Sequence, residues 1–292
     1  MSLVSYGRQR FGKSAARRYL VGSIDAKKEM VVVWAEVQRD VKQRLARDRL
    51  WREFLRAKDQ QANLYSSNPY DTLVNKLRVE ADARDTDKVI ICVDEAQNLS
   101  LEGLGDMKKL VDDLVDFDLS PFVVMSAQPE ILLRPERLKR FHKEDIADRF
   151  FTHMQRFRGL MPTEFEEVLA HYDTATWEGI TYTRHFLPRL WAEGWTLAAQ
   201  ARAFQDAFSD LNAKLGTGTE EVGMKYLVAA VRRFFTKVGD SKPTLKEQAD
   251  VIKASVASCG LAEAWKLVGD SEQHARLLSR DEKKTRLKEA DA

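Results

Sequence analysis

A chain of 292 residues, 44% hydrophobic and 32% charged, has the composition of a globular protein, with length enough for one large domain or a core domain and a smaller companion. Lys and Arg number 47 against 45 Asp and Glu; the net charge of +2 excludes a generally basic or acidic protein and leaves only local charge to be read. Two distant cysteines, Cys92 and Cys259, exclude a disulfide framework and fit a reducing cytoplasm, while no apolar run of about 18 residues offers a membrane span.

In chain order, Leu3 to Tyr6 reads as the end of a strand. It runs into "GRQRFGKS", Gly7 to Ser14, and then into "AARRYLVGS", a stretch of good helix formers. Strand, glycine loop and helix in this order form a phosphate cradle. The glycines let backbone N–H groups curl inward, and the helix presents its positive end to the same anion. The spacing G-x-x-x-x-G-K-S assigns Gly7, Arg8, Gln9, Arg10, Phe11, Gly12, Lys13, Ser14 and Ala15 to nucleotide binding. Lys13 is expected to reach the β- and γ-phosphates, and Ser14 to hold Mg²⁺.

"MVVVWAEV", Met30 to Val37, reads as a buried parallel strand. The next stretch, Gln38 to Gln60, reads as a long helix with Val41, Leu45, Trp51 and Leu55 on one face. Lys42, Arg49, Arg52 and Arg56 share an arc of roughly 80° beside it, which could follow a phosphate backbone. The acids Asp40, Asp48, Glu53 and Asp59 lie in the same stretch, as they would on an ordinary solvated face. "SSNPY" breaks the pattern, and a second helix follows with Asp71 as its expected N-cap.

"KVIICVDEAQNLS" begins as an apolar strand and ends in two adjacent carboxylates. Asp94 can hold Mg²⁺ through water, and Glu95 can polarise the attacking water of ATP hydrolysis. A helix from Leu101 to Asp118 then leads to the strand Phe122 to Met125, whose end "SAQPE" offers Ser126 or Gln128 as a polar group for the γ-phosphate; only the resemblance set out below favours Gln128. In "EDIADRFFTHMQRFRGL", Arg149 is a candidate to reach a neighbouring subunit's γ-phosphate, with Arg156 and Arg158 as alternatives. Alternating strands and helices make the first part an open parallel α/β sheet.

From about Pro162 the strands are expected to stop, and the remaining segments read as helices. Arg184 in "GITYTRHFLPRL" could touch the phosphates from that helical part. The expected division is 1–160 as the ATPase core, 161–240 as a helical lid, and 241–292 as a helical extension with a charged tail.

"GRQRFGKS", "VIICVDEAQNLS", "VVMSAQPEIL" and "DRF", in that order, resemble the AAA+ ATPases of the ASCE division. Within them the chain is most similar to the TniB/TnsC-type transposition regulators and their ExeA-like relatives, over roughly residues 3 to 215. That resemblance implies an ATP- and Mg²⁺-dependent ATPase that assembles as a ring or filament on double-stranded DNA. It also implies a transposase and other transposition proteins as partners, a cytoplasmic location and no membrane. The ExeA-like branch implies instead an ATPase of a secretion or envelope assembly, and a third reading is a nucleotide-switched scaffold or defence ATPase. Relatives carry a longer segment before the phosphate loop, which helps hold the adenine; here Met1 to Tyr6 precede it.

Overall fold

The computed structural model describes residues 1–38, 46–58, 67–239 and 243–266. The chain divides into two compact units, Met1–Arg158 and Gly159–Ala292.

The first unit is built on five strands: β1 (Ser2–Tyr6), β2 (Val31–Glu36), β3 (Lys88–Asp94), β4 (Ser120–Ala127) and β5 (Met154–Arg156). Their order across the sheet is β2-β3-β4-β1-β5, and every pairing is parallel. The strand carrying the acids and the strand feeding the glycine loop are therefore separated by β4. All carboxyl ends lie at one edge of the sheet, where ligands of open α/β sheets bind.

The helices are α1 (Lys13–Lys27), α2 (Ala46–Lys58), α3 (Pro69–Ala83), α4 (Leu101–Asp116), α5 (Arg134–Arg140) and α6 (Glu144–Phe150). The second helix of the sequence reading starts earlier than expected: Asn68, not Asp71, is the N-cap, its side chain accepting from the Asp71 N–H, and Pro69 occupies the first turn. Pro suits that position because its missing N–H would have no partner there. Leu73, Leu77, Leu104, Leu110, Leu114 and Phe150 pack with Val4, Val31, Val33, Ile91, Val93, Val123 and Met125 into one core. Cys92 and Cys259 are free and buried.

The second unit holds α7 (Phe165–Thr174), α8 (Tyr182–Phe186), α9 (Pro188–Ala192), α10 (Ala201–Leu215), α11 (Met224–Val238) and α12 (Leu245–Ala257). Phe165, Phe204, Phe208, Leu227, Phe234, Ile252 and Val256 share its core, so α12, beyond the expected boundary at 241, packs with the helices before it. The expectation that strands stop at Pro162 is corrected by a hairpin, β6 (Thr176–Trp177) and β7 (Ile180–Thr181). Its turn needs positive φ at both central residues, which Glu178 (φ 52°) and Gly179 (φ 80°) supply. Two strand residues on either side are too few to show a period of two.

Candidate functional site

The glycine loop leaves β1 at Gly7, whose N–H donates to the Ala127 carbonyl of β4 at 3.1 Å. A Cβ at residue 7 would stand 2.1 Å from the Phe157 carbonyl oxygen, so the loop can leave the sheet here only as glycine. The second glycine, Gly12, caps α1 at φ 110°, a conformation that side chains rarely adopt. Arg10 also has positive φ, 67°. The outcome is a backbone curled over the first turn of α1, where Lys13 and Ser14 stand.

Lys13 Nζ donates back to the carbonyls of Gly7 (2.5 Å) and Arg8 (2.8 Å). Burial holds its ammonium below the usual lysine range, against the opposing pull of Glu95, Asp94 and Glu130. Arg8, Gln9, Arg10 and Ala15 are exposed, and Phe11, Gly12, Lys13 and Ser14 are partly buried.

Asp94, at the end of β3, is 3% exposed. Its Oδ1 accepts from the Ser126 hydroxyl at 2.7 Å and from the Glu95 N–H at 3.1 Å. Its Oδ2 lies 3.4 Å from Arg17 Nη2. Glu95 adopts a left-handed backbone (φ 55°, ψ 38°), which turns the chain sharply out of the strand. Its Oε2 accepts from the amides of Gln97 (2.5 Å) and Gln128 (2.9 Å). Gln128 is tied further: its Oε1 accepts from the Gln9 amide at 3.0 Å, and its N–H donates to Gln97 Oε1 at 3.0 Å. The carboxyl end of β4 thus joins the glycine loop to the acid through one side chain. Ser126 and Gln128, alternatives in the sequence, both belong to the cluster, one on each acid.

Two members escaped the sequence reading. Gln97 lies inside the "DEAQ" motif, and its spacing from Glu95 was the available signal. Arg17 carried none, because a helix face cannot be seen to cross to Trp34 and Asp94 before the sheet order is known.

Other sequence candidates stand elsewhere. The Arg149 carbonyl accepts from Ser2 Oγ at 2.7 Å, at the start of β1, about 13 Å along the strand from the glycine loop. Its Nη2 donates to Asp112 Oδ1 at 2.6 Å, beside a Lys108–Asp112 pair at 3.3 Å. Arg156 pairs in register with Tyr6, at the loop end of the sheet, and Arg158 follows it; both are exposed. Arg184 is exposed on α8 of the second unit. On α2, Arg56 bonds Glu53 at 2.8 Å and Arg49 bonds Gln38, while Arg52 is partly buried. Lys42, like Val41 and Leu45, lies outside the described residues.

A parallel sheet of order β2-β3-β4-β1-β5, a glycine loop after β1 and an acidic pair after β3 define an AAA-type P-loop fold with a helical C-terminal part. Residues 1–134 match the model of the family AAA_22, described as an AAA domain. No curated protein matches the sequence significantly.

Among solved structures, the chain is similar to Drosophila ORC bound to DNA, at 14% identity and a TM-score of 0.41, covering 88% of this chain and 76% of that one. It is similar to the Aeropyrum pernix ORC1 protein in complex with DNA, at 15% identity and 0.39, covering 89% and 78%. With C. elegans PCH-2 the values are 11% and 0.44, over 88% of this chain and 61% of that one. No helix among the described residues is long and apolar enough to cross a membrane.

Proposed function

We propose that the chain is an Mg²⁺-dependent ATPase that assembles as a ring or filament on double-stranded DNA and regulates transposition by recruiting a transposase to the target. The observation that carries the ATPase reading is the Gln9–Gln128–Glu95 chain of hydrogen bonds, which ties the phosphate loop to the acid. The transposition reading rests on the "DEAQ" and "QPEI" motifs and their order along the chain.

The residues present fit Mg²⁺ and ATP. A cradle in which a Cβ at Gly7 would collide with backbone, a lysine inside it and a buried carboxylate beside Ser126 are the donors that phosphate and a hard cation require. Ser14 and Asp94 would hold the metal, which supplies charge neutralisation of the β- and γ-phosphate oxygens. Lys13 leaves the Gly7 and Arg8 carbonyls to meet those oxygens. Glu95 accepts the proton of the attacking water.

In the structure Glu95 Oε2 already accepts two amide N–H bonds, which occupy the oxygen that would receive the proton. A γ-phosphate draws the Gln128 amide away and relieves that oxygen of one of its two bonds, the Gln97 amide keeping the other. Gln128 thus couples phosphate binding to readiness for hydrolysis. Arg149, with its charge now on Asp112, is the residue offered to the next subunit, where it would stabilise the transferring phosphate. DNA is followed by Arg49, Arg52 and Arg56 on α2, with Lys42 preceding them.

Glu95→Gln tests the switch. Turnover is expected to fall by about 10²–10³-fold, as for loss of a general base, while assembly on DNA with ATP, seen by electron microscopy, persists. A wild type that stays monomeric with DNA and a slowly hydrolysed ATP analogue would sink the assembly reading. DNA binding should weaken steeply with salt, because phosphate contacts release counterions.

A further inference from the structure

No residue of α1 is buried as a whole, yet the Arg17 side chain keeps only 9% of its exposure. Its guanidinium carbon lies 4.5 Å from the centroid of the Trp34 ring on β2, and its Nη2 lies 3.4 Å from Asp94 Oδ2. The helix therefore reaches the sheet through a cation where an apolar side chain would serve a merely structural purpose more cheaply. That cation is also poorly satisfied. The 3.4 Å separation is long for a charge-assisted hydrogen bond, and Nη1 is buried with no hydrogen-bond partner. Burying a guanidinium on these terms costs stability.

The location suggests what the arrangement serves. Arg17 follows Ser14 by three residues, so the two stand one turn apart on the same face of α1. Asp94 meets Arg17 through Oδ2 and has its Oδ1 engaged by Ser126 and Glu95. Both carboxylate oxygens are thus engaged by the protein itself.

We infer that Arg17 is the resident counter-cation of Asp94: a positioning residue that holds the carboxylate oriented before Mg²⁺ arrives and sets how much Mg²⁺ the site demands. The inference rests on the Mg-ATP reading of Ser14 and Asp94. Mg²⁺ entering beside Asp94 meets a carboxylate already half neutralised and a second positive charge a few ångströms away. Both lower its affinity. The device keeps the acid from taking Mg²⁺ without nucleotide and leaves metal binding dependent on the phosphate oxygens that come with it.

The test is a Mg²⁺ titration of fluorescent ATP-analogue binding, read as the Mg²⁺ concentration giving half the effect, with melting in EDTA as a check of folding. Arg17→Gln is expected to lower that concentration by roughly tenfold, and Arg17→Lys, which keeps the charge, to stay near wild type. Trp34→Leu removes the ring beneath the guanidinium and should shift the half-point the same way by about threefold, which keeps the idea open to test if Arg17→Gln does not fold. A purely structural arginine predicts the opposite sign, since a damaged site needs more Mg²⁺. Half-points that coincide or rise would overturn the proposal while leaving the nucleotide site standing. A wild type whose binding ignores Mg²⁺, or a Lys13→Ala variant that binds as well as wild type, would instead remove the reading on which it rests.

Discussion

A methyl group on residue 7 would meet the Phe157 carbonyl oxygen at 2.1 Å, and that oxygen belongs to backbone that cannot swing aside. Gly7→Ala should therefore destabilise the first unit by about 2–3 kcal/mol, within the overpacking range, and lower its urea midpoint without changing the slope. An unchanged midpoint would mean that the loop leaves β1 by another path. The glycine spacing was plain in the sequence, but its cause at residue 7 was not, because Phe157 arrives from 150 positions downstream. The place of Asp94 and Glu95, at the end of an apolar strand, was legible from the run that precedes them. Arg17 was not legible, since nothing in "AARRYL" says which of its two arginines turns inward.

At the scale of elements, β3 carries both the acid and a buried thiol two residues before it. Burial pushes Cys92 up to about 11 from 9.0, the nearby Arg17 opposing the shift. As pH rises past 9.0 the unfolded thiol ionises first, while the folded one keeps its proton until about 11. The native state then binds more protons, so stability falls with pH across that window. The stabilisation is fully present below it. Wild type should lose about 2–3 kcal/mol relative to Cys92→Ala between these limits, measured by urea unfolding at a series of pH values. Parallel slopes for the two proteins would show that the thiol is not held protonated by the fold.

The same strand explains what sequence patterning could and could not yield. A run such as "VIICV" announces burial on both faces, and so a parallel sheet, but not which strands flank it. The order β2-β3-β4-β1-β5 follows from tertiary pairing, and only that order brings Gln128 between Gln9 and Glu95.

In the whole molecule two apolar cores coexist in one chain, and each unit holds one buried thiol: Cys92 on β3 in the first and Cys259, within the core, in the second. Phe234, fully buried in the second core, stacks on Trp195 and packs edge-on against Phe204. Phe234→Ala should cost about 3–5 kcal/mol there. Labelling with a thiol reagent under rising urea should then expose Cys259 earlier than in wild type, with the Cys92 midpoint moving less. Equal displacement of both would show that the units unfold as one. Helices α10 and α11 lie in segments that read as helical, the latter with Met224, Leu227, Val228, Val231, Phe234 and Phe235 as an apolar stripe. The placement of α12 was not, because "GDSKP" has the composition of a linker whether or not the helix beyond it folds back.

The interposition of β4 has a consequence for anyone refolding this protein. Ser126 and Gln128 lie two residues apart, so they serve Asp94 and Glu95 only while β4 keeps its alignment with β3 on one side and β1 on the other. A slip of one residue would turn both side chains to the opposite face at once. Such a preparation would keep its helix and strand content and most of its compactness, and it would fail both acids together. On the proposed ATPase reading, turnover would report strand alignment in a way that circular dichroism cannot.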